Sequence, residues 1–495
     1  MGQVSGIFRY NAILKIAPNT LSKMENYNNT RIAHWNKVAN KLRAWRGLGK
    51  YYSSRVSEIY RFNIPSGQSI LDIGTGTGKL LSSLQPEKGL GIDLSDGMIM
   101  LAKELHPNLD FIQMDAVELK LKGKFDFVVM SDTINDLWDV QSTLENISKV
   151  IKNDGRLIIN FYNRLWELPL KIAENLSLAK PNLIQNWLTV EDARNLLDLA
   201  GFEVVKSSEE ILIPFSIPII TPILNKFFVR FWPFKHFAMT HFMVARLKPK
   251  IQNKMKNPSI SIIVPTRNEA GNIESIIRRI PKIFKDYELI FVEGHSTDNT
   301  LEEIKKQMKL HPEIRSSCLR QQGEGKGDAV RLGFSKAKGD ILMILDADLT
   351  MPPENLPKFY NALVDGIGDF INGVRLVYPM EKDAMRFFNI IGNKFFSIVF
   401  TFLLGQPIKD TLCGTKILWK SDYEDIAANR NYFGDFDPFG DYDLLFGAAK
   451  LNLKIVDMPI RYSERVYGET NIQRWKHGVL LLKMVIFAAR RLKFI

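Results

Sequence analysis

At 495 residues the chain is long enough for two or three domains of ordinary size. Apolar residues make up 45% and charged residues 24%, a globular balance that excludes intrinsic disorder and low-complexity or collagen-like architectures. Two cysteines, Cys318 and Cys413, exclude a disulfide framework and fit a reducing compartment, while 66 Lys and Arg against 54 Asp and Glu (net +12) favour anionic partners without choosing among phosphates, acidic lipids and nucleic acid.

The first residues lack the segments of a secretory signal peptide, and Gly6 stands where a myristoylation pattern needs Ser or Thr. Apolar runs at 211–224, 395–405 and 479–489 fall short of the ~20 residues a spanning helix needs. Pro214, Pro218 and Pro222 interrupt the first, Asn389, Asn393 and Lys394 precede the second, and Lys483 sits within the third. Each reads as buried core or as a segment of the membrane interface. Arg490, Arg491 and Lys493 behind the last keep peripheral contact with an anionic membrane surface in play. The expected location is cytoplasmic, free or on the membrane's cytoplasmic face.

Strands alternating with helical patterns in both halves argue for α/β architecture with parallel sheets of βαβ units. In the first half, strand 69–71 ends at Asp72, and Gly74, Gly76 and Gly78 form a G-x-G-x-G turn before helical residues 79–84. The dinucleotide fingerprint is G-x-G-x-x-G, so the third glycine comes one residue early, and Asp72 would repel a diphosphate. Strand 89–92 ends in Asp93, placed to accept two ribose hydroxyls. Strand 110–114 ends in Asp115-Ala116, and strand 125–130 ends in Ser131-Asp132. A turn at Asn153-Asp154-Gly155 precedes a fifth strand, 156–160. Acidic groups at successive strand ends suit a cationic ligand that carries a ribose.

This ordered series resembles the class I S-adenosylmethionine-dependent methyltransferases over about residues 30–246. The resemblance implies an N-terminal Rossmann-like domain. It also implies Gly74, Gly76 and Gly78 around the methionine part of S-adenosyl-L-methionine, Asp93 on its ribose, and Asp115-Ala116 at adenine, with Asp72 and Ser131 completing the set. Asp72 reads equally as a carboxylate that fixes the loop. Asp132, Asp136, His106, Tyr162 and Trp166 are base candidates by position only, and none is singled out.

A polar, basic stretch at 247–258 reads as a linker between a domain at 1–246 (motif core 66–165) and a second at 259–495. Strand 260–264 leads into Pro265, Arg267 and Glu269, and strand 288–292 into Glu293-Gly294-His295-Ser296. Both are strand-to-helix crossovers, where α/β sheets place ligands. A basic glycine-rich turn, 323–328, carries Lys326 before a helix with Arg331, without the phosphate-loop pattern. Apolar strand 341–345 then runs into Asp346-Ala347-Asp348. Alternation along an extended chain puts residues i and i+2 on one face, and two half-buried carboxylates call for a cation, Mg²⁺ or Mn²⁺ by donor type.

These residues resemble the family 2 inverting glycosyltransferases of GT-A fold, particularly those acting on polyprenyl phosphates, over about 259–478. The resemblance implies Pro265, Arg267, Glu269 and Glu293 beside the nucleoside of a nucleotide-sugar donor, and Asp346 and Asp348 on a metal, with Lys326 and Arg331 near the diphosphate. Asp410 to Lys416 looks like the family's D-x-x-C-G-x-K segment, Gly440 to Leu445 like its acceptor-side helix start, and 461–471 like its donor-covering loop. Asp443, Asp441 and Arg465 are thereby the acceptor-side candidates. Glu293-Gly294-His295-Ser296 departs from the usual Asp-Asp-Gly-Ser, and Thr350 and Asn471 depart from the usual Gln and Lys.

Together the halves resemble bifunctional fusions of a methyltransferase with a family 2 glycosyltransferase, and the run from Trp166-Glu167 to Asp435–Phe439 belongs to that likeness. The expected partners are a nucleotide sugar and a lipid-phosphate or glycan acceptor of cell-surface polysaccharide or glycolipid synthesis. Open alternatives are a glycosyltransferase whose other module only binds S-adenosylmethionine, and a methyltransferase acting on RNA or a small molecule. Nucleic acid is not the expected partner, because no aromatic-studded basic motif is present.

Overall fold

The computed structural model describes residues 18–42, 50–176, 182–249, 257–378, 387–432, 441–465, 467 and 474–495. Linker residues 250–256, the Asp435–Phe439 segment, Gly440 and Asn471 lie outside the described residues.

Two seven-stranded mixed sheets organise these residues. The first contains β1 (Ser69–Ile73), β2 (Lys88–Asp93), β3 (Asp110–Gln113), β4 (Phe125–Ser131), β5 (Ile151–Tyr162), β6 (Phe202–Glu210) and β7 (Thr240–Leu247), in the order β3-β2-β1-β4-β5-β7-β6. The second contains β8 (Ile260–Thr266), β9 (Tyr287–Glu293), β10 (Ser316–Arg320), β11 (Ile341–Ile344), β12 (Phe370–Val374), β13 (Lys416–Trp419) and β14 (Ile455–Pro459), in the order β10-β9-β8-β11-β13-β12-β14.

Runs of Ile, Val, Leu and Phe make the central strands, buried on both faces because helices cover both sides. Neither sheet is wholly parallel. Strand β7 runs antiparallel to β5 and β6, and β13 antiparallel to β11 and β12. The turn expected at Asn153-Asp154-Gly155 is instead a bulge inside β5. Phe125 pairs with Ile151 and Phe127 with Arg156, so the extra residues loop out without ending the strand.

The strand order reverses direction at β1/β4 in the first sheet and at β8/β11 in the second. Those switch points open crevices at the carboxyl ends of the strands. Arg156 and Arg246, both buried, reach from the first sheet to Asp369, beside β12, and Arg156 Nε donates to the Asn452 carbonyl at 2.8 Å. Asn452 Nδ2 in turn donates to the Asn63 carbonyl at 2.7 Å, so the two halves are packed rather than merely tethered.

No described helix is long and apolar enough to cross a membrane. The three apolar runs divide by phase. Phe400, Leu403, Leu481 and Met484 are buried, whereas Ile219, Phe395, Ile398, Leu482 and Ile486 are bare.

Candidate active sites

At the first crevice, Asp72 is 1% exposed and accepts a hydrogen bond from Thr75 Oγ1 at 2.8 Å. Burial pushes its carboxyl up to about 7, with Thr75 opposing and the nearby Asp93 adding to the rise. Asp93 ends β2, and its two oxygens accept from the Gly76 amide (2.9 Å) and the Ser95 amide (2.9 Å). Its pKa too is raised, chiefly by burial.

The three glycines of the turn all have positive φ but face different surroundings. A Cβ at Gly74 would lie 2.2 Å from Thr133 Oγ1, and one at Gly78 would lie 2.6 Å from the Phe111 ring. Only at Gly76 would it meet open space, so Gly76 is where a ligand can approach the backbone. Ser131 ends β4, and its carbonyl accepts from Thr133 Oγ1 at 3.1 Å. Asp115 caps a short 3₁₀ turn that begins at Ala116.

Helix Pro18–Leu42, which sequence reading passed over, closes this edge. Asn28 Nδ2 donates to Asp115 at 2.7 Å, Arg31 Nε pairs with Asp136 at 2.9 Å, and Trp35 Nε1 donates to Asp136 at 2.8 Å. The spacing i, i+3, i+7 of Asn28, Arg31 and Trp35 puts them on one helix face and was the available signal. Asp136 is thereby occupied as an anchor for this helix. Asp132, at φ 56°, accepts from Tyr52 OH at 2.8 Å and Asn160 Nδ2 at 2.5 Å, where β4 ends. Tyr162 stands near, its ring centroid 6.0 Å from that of Tyr52.

At the second crevice β11 stops at Ile344, so Asp346 and Asp348 sit on a turn rather than on the strand. The expected strand alternation therefore does not align them. Leu349, at φ 54°, returns its amide to the Asp346 carbonyl at 3.3 Å, and the turn presents each carboxylate to its own cation. Asp346 Oδ1 meets Lys326 Nζ at 2.6 Å, and Asp348 Oδ2 meets Arg465 Nη2 at 2.8 Å. Burial alone would lift the Asp346 pKa, but Lys326, then Lys416 and Arg375, hold it below the ordinary carboxylate value.

Arg465 also binds Glu269 Oε1 at 2.8 Å. Burial raises Glu269 to about 7; Arg465 opposes this and Asp348 reinforces it. Gly414 packs directly on the Lys326–Asp346 pair, where a Cβ would lie 2.0 Å from Nζ. Asp410, fully buried, pairs with Arg375 at 2.7 Å, a partner the motif did not announce. The two crossovers brace each other, since Asn268 Oδ1 accepts from the Thr297 amide at 2.8 Å. Pro265 lies at the end of β8, Arg267 is exposed beside it, and Glu293 accepts from the Ser296 amide with Arg320 Nε 3.5 Å away.

The structure gathers Glu269, Lys326, Asp346, Asp348 and Arg465 around one turn as two ion-paired sets, Lys326 with Asp346 and Arg465 with both Asp348 and Glu269. It places Arg331 and Asp443 elsewhere in the domain's contacts: Asp443 Oδ2 faces Arg331 Nε at 3.4 Å and Arg430 Nε at 3.0 Å. Arg331 and Arg430 also line an open cleft of about 540 Å³ with Tyr423 and Glu424. Asp441 starts helix Asp441–Lys450, with its side chain outside the described residues.

Residues 261–426 match the family model of glycosyl transferase family 2, and residues 44–207 match a methyltransferase domain. The dolichol-phosphate mannosyltransferase of Pyrococcus furiosus is 29% identical over 219 residues, 43% of this chain and 59% of that one. The low-salt glycan biosynthesis hexosyltransferase Agl6 of Haloferax volcanii is 26% identical over 235 residues, 46% and 53% respectively. The same organism's dolichyl-phosphate hexose transferase is 28% identical over 228 residues, 46% of this chain and 92% of that one. The chain thus spans little more than half the length of the first two. Among solved structures, an S-adenosylmethionine-dependent methyltransferase of Thermotoga maritima aligns at 20% identity and TM-score 0.35, covering 43% of this chain and 98% of that one.

Proposed function

We propose that this chain, which joins a methyltransferase domain to a family 2 glycosyl transferase domain, is a bifunctional transferase of surface-glycan or glycolipid synthesis at the cytoplasmic face of a membrane. Its C-terminal half would move a sugar, with inversion, from a nucleotide sugar to a lipid-phosphate or glycan acceptor. Its N-terminal half would move a methyl group from S-adenosylmethionine. The observation that supports the first activity best is the pairing of Asp346 with Lys326 and of Asp348 with Arg465 at the β8/β11 switch point.

The carboxylates of Asp346 and Asp348 are hard oxygen donors and fit Mg²⁺ or Mn²⁺ by type. Held there, such an ion supplies Lewis acidity toward the departing diphosphate. The other roles fall to the chain's own groups. Lys326 and Arg465, now spent on carboxylates, are positioned to share their charge with phosphate oxygens as the sugar carbon loses its bond to them. Pro265, Arg267, Glu269 and Glu293 border the nucleoside. A lipid-phosphate acceptor is already a nucleophile and asks for no base, whereas a glycan hydroxyl does. For that base we favour Asp441, because Asp443 is engaged by two guanidinium groups and holds its helix in place.

For the methyl donor, Asp93 spends one lone pair of each oxygen on a backbone amide and keeps the others for two ribose hydroxyls. Gly76 leaves its flank open for the methionine part, Asp72 supplies buried negative charge, and Asp115 with Ala116 borders adenine. What such a site must do is hold donor and acceptor in line.

A thermal-shift panel on the full chain tests the pair of assignments. S-adenosylmethionine and UDP-, GDP- and dTDP-sugars are compared with and without Mn²⁺. A bound ligand stabilises by about 2.7 kcal/mol at a hundredfold excess over its dissociation constant. Asp348→Ala should abolish the metal-dependent shift alone, and Asp93→Ala the methyl-donor shift alone. Sugar-nucleotide stabilisation that survives both EDTA and Asp348→Ala overturns the glycosyl-transfer reading.

A further inference from the structure

Aromatic residues inside or just beyond the three apolar runs meet at one seam between the two halves. Phe231 stacks on Phe402 with ring centroids 5.6 Å apart, and Phe227 lies 5.1 Å from Phe494. Around these contacts Trp232 is 77% exposed, Ile219 76% and Ile398 71%. Trp166 Nε1 donates to the Phe237 carbonyl at 2.9 Å, which brings the exposed Leu165 and Leu168 to the same rim. An apolar surface built from several segments, and not folded inward, marks a contact with something else.

Under that rim three lysines from three segments converge. Lys450 Nζ lies 4.2 Å and Lys206 Nζ 5.9 Å from the centroid of the same Phe62 ring. Lys493 Nζ lies 4.6 Å from the ring of Phe402 on helix Phe387–Leu404, and Gly405, just past that helix, lies beside the Lys206 stem. All three side chains are half-buried. Among the described residues none has a carboxylate at ion-pair distance. Lys450 instead donates to the Phe62 carbonyl. Burial, then Lys450 and Lys493, push Lys206 down to about 7, and burial holds Lys450 at about 8. Burial also pushes Lys493 down to about 8, with Arg230 and Lys235 lowering it further and Glu210 and Glu209 opposing. Like charges gathered in a half-dry place are unfavourable until an anion completes them.

We propose that this seam docks the protein on an anionic bilayer, with Lys206, Lys450 and Lys493 taking a lipid phosphate headgroup while the aromatic and aliphatic rim enters the acyl boundary. Cations set under an apolar rim complement a headgroup layer above hydrocarbon, and the net charge of +12 has the matching sign. The methyltransferase half would then be part of the membrane anchor. This docking stands whether or not either transfer reaction is as assigned.

Co-sedimentation of the full chain with phosphatidylcholine vesicles, with and without phosphatidylglycerol, tests it. Binding should require phosphatidylglycerol and weaken with salt. Lys206→Gln and Lys493→Gln should each lower the partition coefficient about fivefold, the effect of one basic residue at such a surface, whereas Lys493→Arg should not. The pair Ile219→Ser with Trp232→Ser should lower it further, with circular dichroism unchanged in every variant. Three results overturn the proposal: equal binding by the lysine variants, stabilisation by inorganic phosphate without vesicle binding, or a dimer in sedimentation velocity that Trp232→Ser dissociates.

Discussion

The carboxyl edges of the two sheets both present aspartates, but in opposite electrical settings. In the first, Asp72 and Asp93 are held by neutral donors, a threonine hydroxyl and backbone amides, and burial raises both pKa values. In the second, Asp346 and Asp348 each bear on a cation, and the Asp346 pKa is lowered. One edge is short of positive charge and suits a cationic ligand such as a sulfonium. The other carries its own cations, which an arriving diphosphate can share. Aspartates at the carboxyl edges of two similarly ordered sheets thus differ in charge setting through their partners rather than through the fold.

The largest effect expected is at the second edge. Asp348→Ala should lower sugar transfer by roughly a thousandfold, measured with radiolabelled nucleotide sugar and a polyprenyl phosphate, because charge stabilisation of the leaving group is lost. A loss under tenfold would erase the contrast. Next is the ion cluster at the buried Asp443. Asp443→Ala leaves Arg331 and Arg430 facing each other's charge and should cost about 3 kcal/mol by denaturant unfolding. An unchanged midpoint with lost transfer would return Asp443 to the acceptor side. Asp93→Ala should weaken methyl-donor binding by about 2 kcal/mol, near thirtyfold by calorimetry, through two charge-assisted hydrogen bonds, and leave sugar-nucleotide binding intact.

The smallest is a pH effect. Asp72 has a folded pKa of about 7, above its unfolded value, so its ionisation destabilises the free fold as pH rises from about 4 to 7. A cationic ligand favours the ionised form, so methyl-donor affinity should climb up to tenfold between pH 6 and 8. Asp72→Asn should flatten that profile.

The frame of both sites was legible because it rests on local pattern. The strand carrying Asp72, those ending in Asp93 and Glu293, and the glycine turn after β1 announce themselves through apolar runs and spacing. Partnerships across the chain were not. Nothing local pairs Arg465 with both Glu269 and Asp348, Asn28 with Asp115, or Asp443 with Arg331 and Arg430. Local grammar also misled where tertiary pairing overrode it. Asn153-Asp154-Gly155 reads as a turn, yet Gly155 passes so close to the Asp126 carbonyl that a Cβ would lie 2.9 Å from it, and the strand continues past the bulge. Alternation along a strand aligned Asp346 with Asp348 on paper, but β11 ends two residues before the first of them.

The most direct test of the contrast is calorimetric titration of the full chain with S-adenosylmethionine and with its uncharged-sulfur product, S-adenosylhomocysteine, in wild type and Asp72→Asn. If the first edge is built for a cation, the wild type prefers the sulfonium at pH 8 and the variant loses most of that preference, while sugar-nucleotide binding is the same in both proteins. Equal affinity of the wild type for the two sulfur compounds, or a preference undiminished in Asp72→Asn, would contradict the account.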